Sequence, residues 1–445
     1  MKKYTHAWLA MMAMKRIEKA VITERQKDDA KALVKWFKDY RDFVISGAWY
    51  PDEVIKDMGT SHIVKYVNTP ESTDLSFRSM PATLRLYQEG KNDPRKSIPF
   101  SIKGGNLCDR CEALTEALID SFKILDSERS GSPITPSSNH IAMRFFMLSH
   151  YIADCHMPLH CDGRSFYKDN QVHGFIEEQW DKQVADSYYI DEDNQRFFYD
   201  PEGYPLAKEK TPLIEYVEKE LVNRKFIWEW YGKDGDYTCK NTWDYMSGIS
   251  QYSYLMAYKL VPDFDEPKNI STAKYTKTEA YLEHFEEYSR IILADAVESI
   301  AKIWLHAWVR YRDWARGCEV AALNKDVRDL NSLINEANKL IESLPSKIET
   351  LQTRLEKYGV TMEEKKADLE KIVASGKDTT KAKDAVAKAQ DSYDKVKDQL
   401  DSKQNDYDNA VANLPTHKLL LEAAVIKHES TVALYKKYED KNSGI

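Results

Sequence analysis

The chain has 445 residues, with 64 Lys and Arg against 72 Asp and Glu, a formal net charge of −8 and 42 % hydrophobic residues. The hydrophobic content excludes wholesale disorder, and the acidic balance argues against non-specific binding to polyanions. No apolar run approaches the roughly 20 residues that a membrane-spanning helix needs. All ten Trp and all fourteen Phe lie before residue 315, so we predict a globular region followed by a polar C-terminal region.

The N-terminal segment has some features of a secretion signal, because Lys2 and Lys3 precede an apolar run over 7–14. The run is short, follows His6 and meets Lys15 where a small-residue cleavage site is expected. We therefore predict that this segment is not a signal peptide and that the protein is cytoplasmic.

Six cysteines in 445 residues are too few for a disulfide scaffold. Cys108 and Cys111 form a lone CxxC pair, without the second pair of a zinc knuckle and without the βαβ context of a redox motif. We interpret both as reduced thiols near the start of a helix.

Helical periodicity dominates the sequence and glycine is scarce, so we predict an all-α fold. A break is expected at Gly47–Pro51, because glycine and proline interrupt helices, and a loop-rich stretch follows it to about residue 110. The segment 131–139 is a predicted linker that ends in residues suited to cap the next helix, and 187–240 is a predicted insertion with short elements. In chain order, the predicted helices are 6–24, 28–45, 110–126, 139–154, 241–260 and 276–316.

After residue 317 the apolar residues recur at alternating intervals of four and three. These heptad seams run from Leu323 to Tyr358 and from Val386 to Leu414. Two long helices with such seams predict an antiparallel coiled-coil hairpin.

Two prolines are expected to interrupt this pattern. Pro345 should kink the first long helix, and Pro415 should separate a third helix at about 417–437. We therefore predict two domains, a multi-helix domain over 1–317 and a coiled-coil arm over 318–445.

The most informative segment is HYIADCHMPLH, from His150 to His160. His150 and Asp154 are four residues apart, so they project from the same face of a buried helix. Pro158 ends that helix, which lets His160 turn back toward the same face.

A second pair, His173 and Glu177, repeats the four-residue spacing farther along the chain. Imidazoles and carboxylates at this density would repel one another or stay unsatisfied in a core that lacks a cation. Because His and carboxylate side chains are typical zinc ligands, the sequence predicts a zinc site.

The pattern H-x3-D-x5-H followed by H-x3-E resembles the core motif of the zinc-dependent phospholipase C and single-strand-specific zinc nuclease superfamily. The resemblance implies an all-α fold and a cluster of up to three zinc ions that cleaves phosphodiesters. The D-x-H-x-P-L-H sequence pattern is closer to that of the nucleases, whereas the H-x3-E pair is closer to that of the phospholipases.

The resemblance also implies a full ligand set. One zinc ion would take Asp52, His62, His150 and Asp154, a second would take His160, His173 and Glu177, and a third would take His6, Asp154 and the amine and carbonyl of Met1. Asp52 would keep a free oxygen, so it is the expected catalytic group that orients the attacking water or takes its proton.

Three of these assignments stay open at the level of sequence. Asp181 lies one helical turn beyond Glu177 and could replace it, and Asp57 could replace Asp52. Met1 could donate its amine to the third zinc, or it could be only the initiating residue, with the third zinc absent or weakly bound.

The sequence favours an intracellular nuclease that acts on single-stranded nucleic acid through water activated by several zinc ions. One alternative is a phospholipase C that cleaves phospholipid headgroups. The other is a non-enzymatic protein in which zinc stabilises the fold and the coiled coil is the functional part. The coiled coil suggests a protein partner or self-association but requires neither, since a hairpin can pair its two seams with each other.

Overall fold

The structure, a computed structural model, describes residues 1–20, 22, 24–57, 59–127, 135–164, 171–194, 196–228, 230, 237–262 and 270–436, with the side chains of 24, 25 and 43–46 excepted. The first part of the predicted linker, 131–134, lies outside the described residues. The chain divides into two compact units, Met1–Ala315 and Arg316–Ile445. Among the described helices, none combines the length and the apolar character that a membrane crossing requires.

The described chain is all-α, as predicted, with two small sheets. Antiparallel strands β1 (Lys65–Val67) and β2 (Ser101–Gly104) form one sheet, and β3 (Ile190–Asp191) and β4 (Arg196–Phe197) form the other. Two 3-10 turns cover Gly59–His62 and Pro94–Ser97. The helices of the first unit are α1 (Lys3–Lys19), α2 (Glu24–Asp39), α3 (Arg41–Glu53), α4 (Arg85–Gly90), α5 (Leu107–Leu125), α6 (Ser138–His156), α7 (Pro158–Cys161), α8 (Gln171–Ser187), α9 (Pro212–Asn223), α10 (Thr242–Leu260), α11 (Thr272–Tyr275), α12 (Glu279–Leu282) and the beginning of α13 (Phe285–Ala374).

Helix α6 lies at the centre of the first unit, because α1, α3, α5 and α10 all pack against it. Its N-terminus is capped by Ser137, whose hydroxyl accepts a hydrogen bond of 3.2 Å from the backbone N–H of His140. Every residue from Phe145 to His156 is buried. The polar side chains on this helix therefore need partners inside the fold.

The predicted break at Gly47–Pro51 is wrong, since α3 continues through it to Glu53 and the chain breaks instead at Tyr40. Gly47 lies against α6, where an added Cβ would come within 2.7 Å of the Cβ of Phe146. The glycine thus permits two helices to approach closely and does not form a turn.

The second unit contains the rest of α13 and helix α14 (Thr380–Lys436), joined by a turn in which Gly376 has a φ of +68°. Helix α13 continues through Pro345, and α14 continues through Pro415. The separate third helix predicted at 417–437 is therefore wrong. One proline removes a single backbone hydrogen bond, and the many remaining bonds of a 57-residue helix keep it continuous.

Contacts join α13 and α14 at positions far apart along both helices. The Tyr435 hydroxyl donates to the Glu319 carboxylate, and the Tyr435 ring lies 6.0 Å from the Arg316 guanidinium. Nearer the turn, Gly359 packs beside Tyr393. These pairs show that the two helices run in opposite directions. The buried residues of this unit include Leu323, Ile334, Ala337, Leu344, Ile348, Val396 and Ala410.

Candidate metal centre

Four groups of ligand-type side chains are found among the described residues of the first unit, and three of them lie together; within each group the ligand atoms are within 4.8 Å of one another. These three groups are His6, Asp52 and His150; His62, His150 and Asp154; and His160, His173 and Glu177. The first two groups share His150. Each group has the donor types that can hold a metal ion.

Helix α6 supplies the centre of the site, as the four-residue spacing of His150 and Asp154 predicts. His150 Nε2 lies 3.2 Å from Asp154 Oδ2, and His62 Nδ1 lies 2.8 Å from the same oxygen. On its other side, the His150 ring donates from Nδ1 to the carbonyl of Ala48 at 2.8 Å. This bond to the α3 backbone fixes the ring and leaves Nε2 directed at the cluster.

Asp154 is the residue that links the groups. Its Oδ1 atom lies 3.5 Å from His6 Nε2 and 3.6 Å from His160 Nδ1. The same oxygen lies 3.0 Å from the amine of Met1. A carboxylate that contacts donors from all three groups has the position of a ligand that bridges two metal ions.

The first turn of α1 brings two further donors into the cluster. The Met1 amine is buried and lies 2.8 Å from Glu177 Oε1, in addition to its contact with Asp154. The His6 ring stacks on His150 with a centroid distance of 3.9 Å. Both ring nitrogens of His6 are buried, and neither has a hydrogen-bond partner among the described residues. Buried orphan nitrogens are costly, and a metal ion would satisfy them.

Helices α7 and α8 complete the third group. Pro158 starts α7 immediately after α6 ends, and this places His160 beside the cluster. On α8, His173 Nε2 lies 2.9 Å from Glu177 Oε1, and His160 Nε2 lies 3.5 Å from the same oxygen. The structure therefore brings together the two motifs that the sequence analysis found separately.

Asp52 marks the open side of the site. It lies at the C-terminal end of α3, with Oδ1 at 3.6 Å from His150 Nε2 and 3.7 Å from His62 Nδ1. Its side chain is 50 % exposed, whereas that of Asp154 is 2 % exposed. Water can therefore reach the cluster beside Asp52.

Carboxylates keep two cationic groups protonated inside this cluster. Burial alone would lower the pKa of His150, but Asp154 and Asp52 outweigh it and raise that pKa to about 9. Burial likewise opposes a charge on the Met1 amine, and Asp154 and Glu177 raise its pKa to about 11. Both groups carry a proton at neutral pH.

The same contacts keep the acids ionised. Burial would raise the pKa of Asp154, but the Met1 amine and His150 hold it well below its usual value. The Met1 amine has the same effect on the pKa of Glu177, and His150 holds the pKa of Asp52 at about 2 against the opposing effect of burial. Three carboxylates thus face one ammonium and one imidazolium.

His6 and His160 behave differently, because burial lowers the pKa of each. For His6 the positive charges of His150 and the Met1 amine lower the pKa further. Both rings are therefore neutral at pH 7, which is the form in which imidazole binds a metal ion.

The structure places Asp181, the sequence alternative to Glu177, outside the three groups. Its Oδ1 atom accepts hydrogen bonds from the backbone N–H of Thr5 at 2.8 Å and from the Thr5 hydroxyl at 3.2 Å. Asp181 therefore caps the first turn of α1, and Glu177 is the carboxylate that reaches the cluster.

Asp57, the sequence alternative to Asp52, is also outside the groups. Its Oδ2 atom accepts a hydrogen bond of 2.5 Å from the Tyr151 hydroxyl and lies 3.4 Å from Arg110 Nη2. Asp52 is the carboxylate that lies with His6 and His150.

Two other conspicuous motifs have no place in the cluster. His156 is buried with Nε2 at 2.9 Å from the Ser299 hydroxyl, and burial lowers its pKa to about 3. Cys108 and Cys111 are free, buried thiols in the first turn of α5, and burial raises the pKa of Cys111. None of these residues belongs to the three groups around Asp154.

A fourth group, Glu279, Glu283 and His284, lies on the surface of the first unit. Its sequence gives no distinctive signal, because carboxylates and histidine at such short spacing are common on exposed helices. Water solvates these side chains, so the group has no assigned role.

Comparisons with protein families, with curated proteins and with solved structures found no match for this chain. The functional interpretation therefore depends on the geometry of the site and on the motif itself.

Proposed function

We propose that the first unit is a zinc-dependent phosphodiester hydrolase that acts on single-stranded nucleic acid. The observation that carries the proposal is the set of three ligand groups that meet around Asp154, with the ring nitrogens of His6 left without hydrogen bonds. The resemblance of the HYIADCHMPLH motif to zinc phospholipases C and zinc nucleases supplies the reaction type.

The donor set fits zinc. Each group combines imidazole nitrogens with at least one carboxylate, and none of those found among the described residues contains a thiolate. Magnesium and calcium prefer oxygen ligands alone, and structural zinc sites are rich in cysteine. Three protein ligands per ion leave a coordination position for water or substrate, as in catalytic zinc sites.

The chain's own residues have distinct parts in this proposal. When bound, zinc supplies Lewis-acid activation of water and of a phosphoryl oxygen. Asp52 is ionised and half-exposed, so it can accept a hydrogen bond from the attacking water and orient it. The bond from His150 to the Ala48 carbonyl holds that ring in position throughout.

A phospholipase C is a second candidate, because two apolar side chains lie close to Asp52 in the chain and face solvent. Val54 is 61 % exposed and Ile55 is 45 % exposed. Exposed apolar residues next to a site can contact the acyl region of a lipid surface.

The test compares three substrates for the zinc-loaded protein, namely circular single-stranded DNA, RNA and phosphatidylcholine vesicles. We expect cleavage of a nucleic acid and its loss, by at least about a thousandfold, in the His150→Ala/Asp154→Ala variant. The control is His140→Ala, an exposed histidine on the same helix, which should cleave normally. Cleavage that survives in the double variant would place the site elsewhere. Zinc uptake without any hydrolysis would favour a structural role for the metal.

We also propose that the second unit is an antiparallel coiled-coil arm that binds a partner protein or a second copy of the chain. The buried residues Leu344, Ile348 and Val396 and the opposite direction of the two helices support a paired seam. Deletion of 319–445 should change the assembly state or the control of activity. Unchanged behaviour of the truncated protein would refute this role.

A further inference from the structure

A second polar cluster lies beside the candidate metal centre and has no part in the mechanism above. It consists of Arg110, Asp57 and Tyr151. The Tyr151 hydroxyl donates to Asp57 at 2.5 Å, and Arg110 Nη2 lies 3.4 Å from both the Tyr151 oxygen and the Asp57 carboxylate. The arginine belongs to the CxxC segment, whose cysteines are buried.

Ring contacts connect this cluster to a candidate metal ligand. The Tyr151 ring lies 5.1 Å from the His62 ring, and the Arg110 guanidinium carbon lies 5.2 Å from the Tyr151 ring, both measured to ring centroids. His62 in turn lies 3.7 Å from Asp52, the half-exposed carboxylate. Arg110 is therefore connected through Tyr151 and His62 to the half-exposed Asp52.

The backbone holds Arg110 in this position. It lies in the first turn of α5, where the N–H of Leu107 donates to the Ile63 carbonyl and the N–H of Asn106 donates to the Thr60 carbonyl. These two bonds tie the start of α5 to the 3-10 turn that carries His62. The N-terminus of a 19-residue helix also has a positive partial charge, which favours an anion there.

The guanidinium of Arg110 is partly exposed to solvent. Its side chain is 32 % exposed, and its Nε atom is buried without a hydrogen-bond partner within the described part of the chain. Arg110 Nη2 lies 3.4 Å from Asp57 Oδ2, which is longer than the roughly 2.7–2.9 Å of a close charge-assisted hydrogen bond. A partly exposed, planar guanidinium is well suited to bind phosphate oxygens through its terminal N–H groups.

We propose that Arg110 is a substrate-binding residue that holds a second, non-reacting phosphate group of the substrate. This inference rests on the proposed phosphodiester hydrolysis and narrows its substrate class. A single-stranded polynucleotide presents a phosphate on each side of the one that reacts, whereas phosphatidylcholine has only one. Arg110 therefore favours a polynucleotide substrate over such a lipid.

The test uses the zinc-loaded protein with a short oligothymidylate and with bis(4-nitrophenyl) phosphate, which contains a single phosphate. Arg110→Met should lower kcat/KM for the oligothymidylate about tenfold more than for the small substrate, mainly through KM, because one charge-assisted contact to the substrate is lost. Arg110→Lys keeps the charge but not the fork, so it should recover part of this loss. The control is Arg144→Met on α6, whose guanidinium donates to the Ser121 hydroxyl and which should behave like the unaltered protein.

A binding measurement separates this inference from the proposed hydrolysis. Fluorescence anisotropy of labelled oligothymidylate should show about tenfold weaker binding to Arg110→Met, even if the protein cleaves neither substrate. In that case the hydrolysis proposal fails and the phosphate-binding role stands. Unchanged binding, or an equal loss on both substrates without recovery in Arg110→Lys, would overturn the role assigned to Arg110.

Discussion

The two units of this protein treat charged side chains in opposite ways. The first unit buries Asp154 and Glu177 within contact of a buried ammonium and five histidines. The second unit keeps its charges at the surface, as in the exposed pair of Lys366 and Glu363. A buried charge must be compensated inside the fold, whereas water solvates an exposed one at little cost. Dense burial of ionisable groups therefore indicates a site, and dense surface charge does not.

The apolar residues differ between the units as well. Trp8, Trp180 and Trp304 are fully buried in the first unit, which encloses its core on all sides. In the second unit, the buried residues are aliphatic and form a narrow stripe on two helices. A thick core can hold a polar cluster away from water, and a two-helix stripe cannot.

The largest difference expected between the two units is the release of protons from the buried cluster when zinc binds. Metal-free protein at pH 7 should release about two protons when it binds zinc, because the pKa values of His150 and the Met1 amine are about 9 and about 11. Both pKa values are raised, so the protons are held at neutral pH and leave more easily as the pH rises. Zinc affinity should therefore increase from pH 6 to pH 8, by up to about a hundredfold per pH unit. Calorimetry in two buffers with different ionisation heats measures the release.

The exposed His140 provides the control for that experiment, since His140→Ala should release the same number of protons. Zinc binding without proton release would show that the cluster is not charged as the pKa values indicate.

The units also differ in how closely their helices pack around glycine. Gly47→Ala should destabilise the first unit by about 2 to 3 kcal/mol, because the new Cβ would come within 2.7 Å of Phe146 Cβ. Gly317→Ala, in α13, adds a methyl group that meets nothing within 4 Å and should stabilise the helix by about 0.5 to 1 kcal/mol. Urea unfolding monitored by circular dichroism compares the two. Equal effects at the two positions would contradict the packing assigned to Gly47.

The smallest expected change in stability comes from the buried aliphatic residues of the second unit. Leu344 is 2 % exposed and Leu333 is 43 % exposed on the same helix. Leu344→Ala should destabilise this unit by about 2 kcal/mol, while Leu333→Ala should change its stability by less than about 0.5 kcal/mol. Thermal unfolding followed by helical circular dichroism measures both. A larger effect for Leu333 would mean that another face of α13 forms the packed seam.

Local spacing was sufficient to predict part of the site. The pairs His150 with Asp154 and His173 with Glu177 follow from the helical period alone, and both lie in the cluster. His6, Asp52 and His62 came only from the family resemblance, since no short-range pattern connects them to α6. The role proposed for Arg110 could not be predicted, because its contacts with Asp57 and Tyr151 join residues far apart in the chain.

The errors in the predicted fold have a common cause. Gly47, Pro51 and Pro415 were interpreted as helix breakers, and each lies within a helix. Intrinsic preference disfavours these residues in helices, but packing between helices can outweigh it. For Gly47 the reason is close contact with α6, a neighbour that the sequence does not identify.

We propose, above all, that the buried cluster of the first unit binds zinc. Elemental analysis of the purified protein, by inductively coupled plasma mass spectrometry, tests it most directly beside the His150→Ala/Asp154→Ala variant. We expect at least one and up to three zinc ions per chain, and loss of most of them in the variant. Less than one zinc ion per chain, or the same zinc content in both proteins, would contradict it.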